Sequence, residues 1–247
     1  RRRPPPPRGV LHAALGARAA GAGGGVIGPN GAGKSTLLRV LAGLQGTDVG
    51  EVLLDDRALA AMMPGDRARR LSFLPQEGVP PPPMRVADLV ALGRLPHRAA
   101  RNDVRDHAAV EAALAETGLL DLRDRPASQL SGGERARLRL ARALAVEASY
   151  LLADEPVAAL DPAHALAVMA SFGRLADAGR GVMVVLHDLT LAGRFCHRLV
   201  LMRDGRIVAQ GQPAEILTDA AMRAVYGVTV RRVDDAVVPW SLTGEPA

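Results

Sequence analysis

Gly28-Pro29-Asn30-Gly31-Ala32-Gly33-Lys34-Ser35 follows the pattern G-x-x-x-x-G-K-[ST], between a short apolar run, Val26-Ile27, and the helical spacing of Leu37, Leu38, Val40 and Leu41. Strand, loop, helix is the setting in which that pattern holds phosphate. Glycines let a backbone wrap an anion closely, while free N–H groups and the helix dipole favour negative charge. Lys34 would supply a mobile point charge to β- and γ-phosphates, which arginine's planar fork does not imitate. Ser35 would ligate Mg2+, and Thr36 would hydrogen-bond the α-phosphate.

Tyr150-Leu151-Leu152-Ala153-Asp154-Glu155 is an apolar strand that ends in two carboxylates. Such a strand delivers Asp154 rigidly to the carboxyl edge of a sheet, where ligands bind in open α/β folds. Asp154 would hold Mg2+ through water, and Glu155 would orient or deprotonate an attacking water. By itself the pair is ordinary turn chemistry; downstream of a phosphate loop it completes a phosphoryl-transfer site. Leu130-Ser131-Gly132-Gly133-Glu134 opens a further helical pattern through Leu138, Leu140, Ala141 and Leu144. Read alone, it is either a second anion site with Ser131 as hydroxyl donor or an ordinary N-cap.

The elements that must position these groups are built from an aliphatic sequence. The 247 residues are 48% hydrophobic and 23% charged, with three Phe, two Tyr and one Trp, so disordered, collagen-like and disulfide-scaffold classes are excluded. Of 31 basic residues only Lys34 is lysine, a skew that reads as coding bias with one lysine retained for chemistry. Residues 1–47 carry +7 of the net +5, which leaves −2 for the remainder and argues against a broad nucleic-acid surface. The single cysteine, Cys196, in the apolar helical stretch Leu189–Leu199, reads as a packing residue of a reduced compartment. No apolar run reaches the roughly 18 to 20 residues of a membrane span, and the first 25 residues lack a signal-peptide core. A cytosolic protein is expected.

Residues 1–25, with Pro4–Pro7 and Gly23–Gly25, predict a disordered or reduced N-terminal region. Short strands are predicted at 52–54 and 71–74, a short helix from Pro64, and a boundary at the prolines of 80–83. Helical spacing follows at 86–94, 102–117 and 133–147. Parallel α/β pattern resumes with strands at 150–153 and 182–186 and helices at 162–178 and 189–195. Asp204-Gly205 marks a hairpin between 199–202 and 206–209, residues 213–226 read as helix, and 227–247 as a weakly patterned tail. The organisation is one domain, with an α/β core over 26–80 and 149–226 and a helical insertion over 81–148.

Together, the three motifs in this order resemble the ATPases of the ATP-binding-cassette (ABC) family over roughly residues 26–226. The resemblance implies a P-loop NTPase core of RecA-like type with a helical subdomain, binding ATP and Mg2+. It implies that Gln76, in Leu74-Pro75-Gln76, senses Mg2+ and γ-phosphate. It places Asp161, in Ala159-Leu160-Asp161, at a dimer seam, and His187 on the γ-phosphate. Ser131, Gly132 and Gly133 would contact the partner's nucleotide in a homodimer. Leu92-Gly93-Arg94-Leu95-Pro96-His97 is similar to a segment of importers for ferric siderophores, haem and cobalamin, and would lie where the helical insertion meets the permease; Gly211–Leu217 also resembles that group. The resemblance thus implies an ATPase on the cytoplasmic membrane face, bound to a permease, served by an extracytoplasmic binding protein, with no nucleic-acid partner. An ATPase acting on DNA or ribosomes, and an impaired binding-only subunit, are the rival readings. The family's aromatic before the P-loop, which stacks on adenine, has no counterpart in residues 1–25. A frame-shifted reading of residues 1–24 is the expectation that follows. Glu134 replaces the usual glutamine, and Val157-Ala158 a common Thr-Ser pair.

Overall fold

A strand containing three consecutive glycines, Gly23–Ile27 (β1), is paired on both sides. Glycine is a poor strand former, but tertiary packing requires it here. A Cβ on Gly25 would lie 2.7 Å from both Cys196 Sγ and Leu199 Cδ2. The expectation of disorder through residue 25 therefore fails at Gly23–Gly25. The computed structural model describes residues 23–47, 50–76, 80–100, 103–233 and 236–243, so the remainder of that expectation, including the frame-shifted segment, lies outside the described residues.

After β1 come α1 (Lys34–Leu41), the short strands β2 (Leu53–Leu54) and β3 (Arg57–Ala58), α2 (Pro64–Arg70), β4 (Leu71–Leu74) and α3 (Val86–Ala91). A 3-10 segment (Leu92–Ala100), α4 (Asp103–Glu116), α5 (Gly132–Leu144), β5 (Tyr150–Asp154) and α6 (Pro162–Asp177) follow. The chain ends with β6 (Gly181–Val185), α7 (Leu189–Phe195), β7 (Arg198–Arg203), β8 (Arg206–Gly211), α8 (Pro213–Ile216), α9 (Asp219–Tyr226), β9 (Val228–Val233) and β10 (Ala236–Leu242).

Two compact units divide this order, one of the described residues to Ala61 with Phe172 onward, the other Met62–Ser171. In the first, β6, β1 and β7 are parallel neighbours, with Val26 opposite both Val185 and Val200, and β8 is antiparallel to β7. Val26, Ile27 and Val182–Val185 are buried, as expected for strands covered on both faces. In the second unit β4 and β5 pair in parallel, Leu74 opposite Ala153. Its helical part closes on Val86, Leu89 and Val90 of α3, Val110, Ala113 and Leu114 of α4, and Leu138 and Ala141 of α5. Those i, i+3, i+4 spacings place one apolar stripe per helix on a common core.

Several boundaries differ from the sequence expectation for local reasons. The helix expected to 94 becomes 3-10 at Leu92, ahead of Pro96, which has no N–H to donate. Residues 213–226 form two helices, because Thr218 caps α9 by accepting from the Ala221 N–H at 3.2 Å. The expected tail contains the β9–β10 hairpin, begun after left-handed Gly227 ends α9. The helix expected to hold Cys196 stops at Phe195, leaving Cys196 extended and 7% exposed. Burial pushes its thiol up to about 12, so about 10⁻⁴ is ionised at pH 8. An alkylating reagent at pH 8 should modify Cys196 orders of magnitude more slowly in the native protein than in the guanidinium-unfolded chain; equal rates would show the thiol to be accessible.

Candidate active site

The first unit builds a phosphate loop. β1 ends at buried Ile27, and Gly28 turns the chain with φ 153, where a Cβ would stand 2.3 Å from the Met202 carbonyl oxygen. Only glycine fits against that β7 carbonyl. Pro29, Asn30 and Gly31 carry the loop outward, and the Ala32 N–H returns to the Pro29 carbonyl at 3.1 Å. Gly33, with φ 95, is the N-cap of α1 and brings no side chain of its own to that helix end, where Lys34, Ser35 and Thr36 form the first turn. Lys34 is 5% exposed, and its Nζ donates to the carbonyls of Gly28 at 2.7 Å and Pro29 at 3.0 Å.

His187 leaves the same sheet edge. The Leu186 N–H donates to the Val26 carbonyl at 3.0 Å, so parallel register sets His187 beside Gly28, on adjacent strand ends. Asp188 caps α7 by accepting from Thr190 and Leu191 N–H groups at 2.8 and 3.0 Å. Two supports of the loop were not legible in the sequence. The Gly205 N–H, at the β7–β8 turn, donates to the Ala32 carbonyl at 3.0 Å. Tyr226, the last residue of α9, is half-buried; burial pushes its phenol up, partly offset by the Gly28 backbone. Its hydroxyl is enclosed without a hydrogen-bond partner of ordinary geometry. The Asp-Gly turn is a visible sequence signal; the role of Tyr226 has none.

In the second unit, register brings Gln76 beside Glu155, and Gln76 Nε2 donates to Glu155 Oε2 at 2.6 Å. Asp154, the last residue of β5, is 0% exposed. Glu155 takes a left-handed φ of 51, a conformation costing roughly 1 to 3 kcal/mol that persists at functional sites where surroundings impose it.

Ser131 caps α5 in a reciprocal box. Its Oγ accepts from the Glu134 N–H at 3.2 Å, and Glu134 Oε2 accepts from the Ser131 N–H at 2.7 Å. Those Ser131 donors hold the Glu134 carboxyl below the usual range. The ordinary N-cap is thus present, and Glu134 is explained by it. Gly133 neighbours the loop before α6: a Cβ there would lie 3.9 Å from the Ala159 carbonyl. Asp161 accepts from the His164 N–H at 3.0 Å and contacts His164 Nδ1 at 2.6 Å, which holds its carboxyl low. Ser35, Gln76 and Asp154 are hard oxygen donors of the kind Mg2+ takes along with phosphate and water. Among the described residues no three His, Cys, Asp or Glu side chains converge on a metal site.

Residues 19–158 match the family described as ABC transporter. The chain belongs to the ABC transporter family. This ABC chain is 46% identical over 211 residues to the hemin import ATP-binding protein HmuV of Pseudomonas putida, covering 83% of this chain and 82% of that protein. It is 43% identical over 216 residues to the protein of the same name from Myxococcus xanthus, covering 85% and 81%. An ABC transporter assigned to the metal-chelate type, solved in an inward-facing conformation, superposes with TM-score 0.74 at 27% identity, over 90% of this chain and 87% of that one. A dimeric cassette in a post-hydrolysis state with ADP and phosphate gives 0.72 at 28%, over 78% and 86%. The ABC chain binds ATP, and its hydrolysis of ATP is coupled to transport. As in that family, it works with a membrane permease and as a dimer of cassettes. No helix among the described residues is long and apolar enough to cross a membrane.

The contact at Gly28 makes a direct test. Gly28→Ala should cost about 1 to 3 kcal/mol in denaturant unfolding by forcing Met202 away, and should weaken ATP binding at least tenfold; parent-like values for both would show that the loop tolerates a side chain there.

Proposed function

We propose that the chain is the ATP-hydrolysing subunit of an importer for an iron complex, with hemin the cargo its relatives favour and ferric siderophores and cobalamin the neighbouring classes. The carrying observation is the Gln76–Glu155 pair, a carboxylate held at a strand end by an amide, in a chain with more than 40% identity to hemin import ATPases.

In this reading the α1 N–H groups and Lys34 hold the β- and γ-phosphates, with Thr36 on the α-phosphate. Ser35, Gln76 and Asp154 would hold Mg2+, which neutralises phosphate charge. Glu155 takes the proton of the attacking water while Gln76 fixes its orientation. His187 and Lys34 donate to the transferring γ-phosphate. Ser131, Gly132 and Gly133 complete the site on the partner protomer's ATP, with Asp161 at the seam between protomers. Closure of that dimer on ATP moves the permease on the cytoplasmic face of the membrane, and hydrolysis reopens it. An extracytoplasmic binding protein delivers the cargo; the −2 balance outside residues 1–47 argues against a nucleic-acid partner. Within the segment expected to face the permease, Leu95 is exposed, whereas Gly93 and Arg94 are buried.

Reconstitution of the chain with its permease in lipid tests this. A hemin-loaded binding protein should stimulate ATP turnover several-fold, and Glu155→Gln should lower that turnover by at least about 100-fold, the usual scale for loss of a general base, with ATP binding retained. Stimulation by a cargo of another class alone would overturn the cargo, and unchanged turnover in Glu155→Gln would overturn the mechanism.

A further inference from the structure

The segment Leu92–His97 carried a subgroup resemblance in the sequence, yet its polar groups are spent inside the second unit. Gly93 packs on the last turn of α5: a Cβ there would lie 2.4 Å from the Arg142 carbonyl oxygen and 3.1 Å from Ala145 Cβ. Arg94 is 5% exposed. Its Nε pairs with Asp106 of α4 at 2.7 Å, while its Nη1 meets Glu147 at 3.0 Å and donates to the Ala145 carbonyl at 2.8 Å. His97 Nε2 lies 2.8 Å from the Val146 carbonyl. On the other side, Arg69 Nη1 donates to the Pro96 carbonyl at 3.2 Å.

Two of these contacts end on backbone carbonyls at the C-terminal end of α5, Arg94 on Ala145 at the C-cap and His97 on Val146 one residue beyond it, where a helix leaves carbonyls without intrahelical partners. A cation is favoured there by the helix dipole. The apolar core already holds α3, α4 and α5 together, but hydrophobic contact is non-directional and leaves axial position loosely defined. Hydrogen bonds to individual carbonyls fix it. At the opposite end of α5, 13 residues and about 20 Å away, is the Ser131 cap.

We propose that Arg94 and His97 are positioning residues that bolt the 3-10 segment to the C-terminal end of α5, so that a displacement of the segment is delivered along the helix to Ser131. The inference rests on the reading of Ser131 as a contact to the partner's ATP. Arg94 suits the task because its fork reaches a carbonyl and two carboxylates at once, which an ammonium at that distance does not. Leu95, 42% exposed between them, is the part of the segment left for a partner to push.

The test uses the complex with permease in lipid and compares Arg94→Lys, His97→Ala and His97→Gln with Ser131→Ala. Arg94→Lys should lower permease-stimulated turnover tenfold or more and His97→Ala about threefold, each with ATP affinity of the isolated subunit within twofold and helical circular dichroism unchanged. His97→Gln, whose amide can still donate to Val146, should restore most of the loss. Parent-like stimulation in both Arg94→Lys and His97→Ala, with Ser131→Ala impaired, overturns the bolt alone. Loss of stimulation in step with loss of helical signal in both variants assigns the network to folding and also overturns it. If Ser131→Ala is itself parent-like, the reading of the cap fails and takes the inference with it.

Discussion

An ammonium group removed from water must be given acceptors, and in this protein that requirement falls on Lys34. Its Nζ is held by the carbonyls of Gly28 and Pro29, so the loop must curl back over the start of α1. Curling brings Gly28 against the Met202 carbonyl, where no side chain fits. That in turn fixes the end of β7 and the turn after it, whose Gly205 N–H braces Ala32. The buried charge, the glycine, the strand end and the hairpin turn thus form one contiguous set of contacts. Gly33, at the start of α1, brings no side chain of its own to the helix N-terminus, the end of a helix that suits an anion.

The second unit solves a different problem, that of fixing the direction of its carboxylates. Glu155 adopts a left-handed backbone and is tied to Gln76, Asp161 is spent on His164, and Glu134 on Ser131. In each case the carboxylate accepts hydrogen bonds that fix its direction, and for Asp161 and Glu134 these favour its ionised form. Arg94 gives the same treatment to a cation, and its neighbours are backbone carbonyls as much as acids.

The strand–glycine loop–helix at 23–41, the Asp154-Glu155 strand end and the α5 cap were legible in the sequence because each is local: a few residues at fixed spacing, with a change of hydrophobic period beside them. Legibility failed where the deciding contact is remote. The strand character of Gly23–Gly25 comes from pairing with strands more than 150 residues away, in a tripeptide whose own propensity points elsewhere. The β9–β10 hairpin buries little beyond Val237, so its alternation is faint. Gly93, Arg94 and His97 were visible as a motif, but their use on the α5 carbonyls depends on residues about 50 positions away. Tyr226 near Gly28 had no local signal at all.

The central claim is that the one lysine among 31 basic residues is retained for phosphate chemistry, in a chain otherwise built with arginine. Replacing it by the chain's preferred cation, Lys34→Arg, tests that claim most directly, through ATP turnover in the permease complex alongside unfolding by denaturant. The account predicts that turnover falls at least 100-fold, the scale on which a lost phosphate-stabilising donor acts, although positive charge is conserved. Turnover within a fewfold of the parent, in a folded protein, would contradict it.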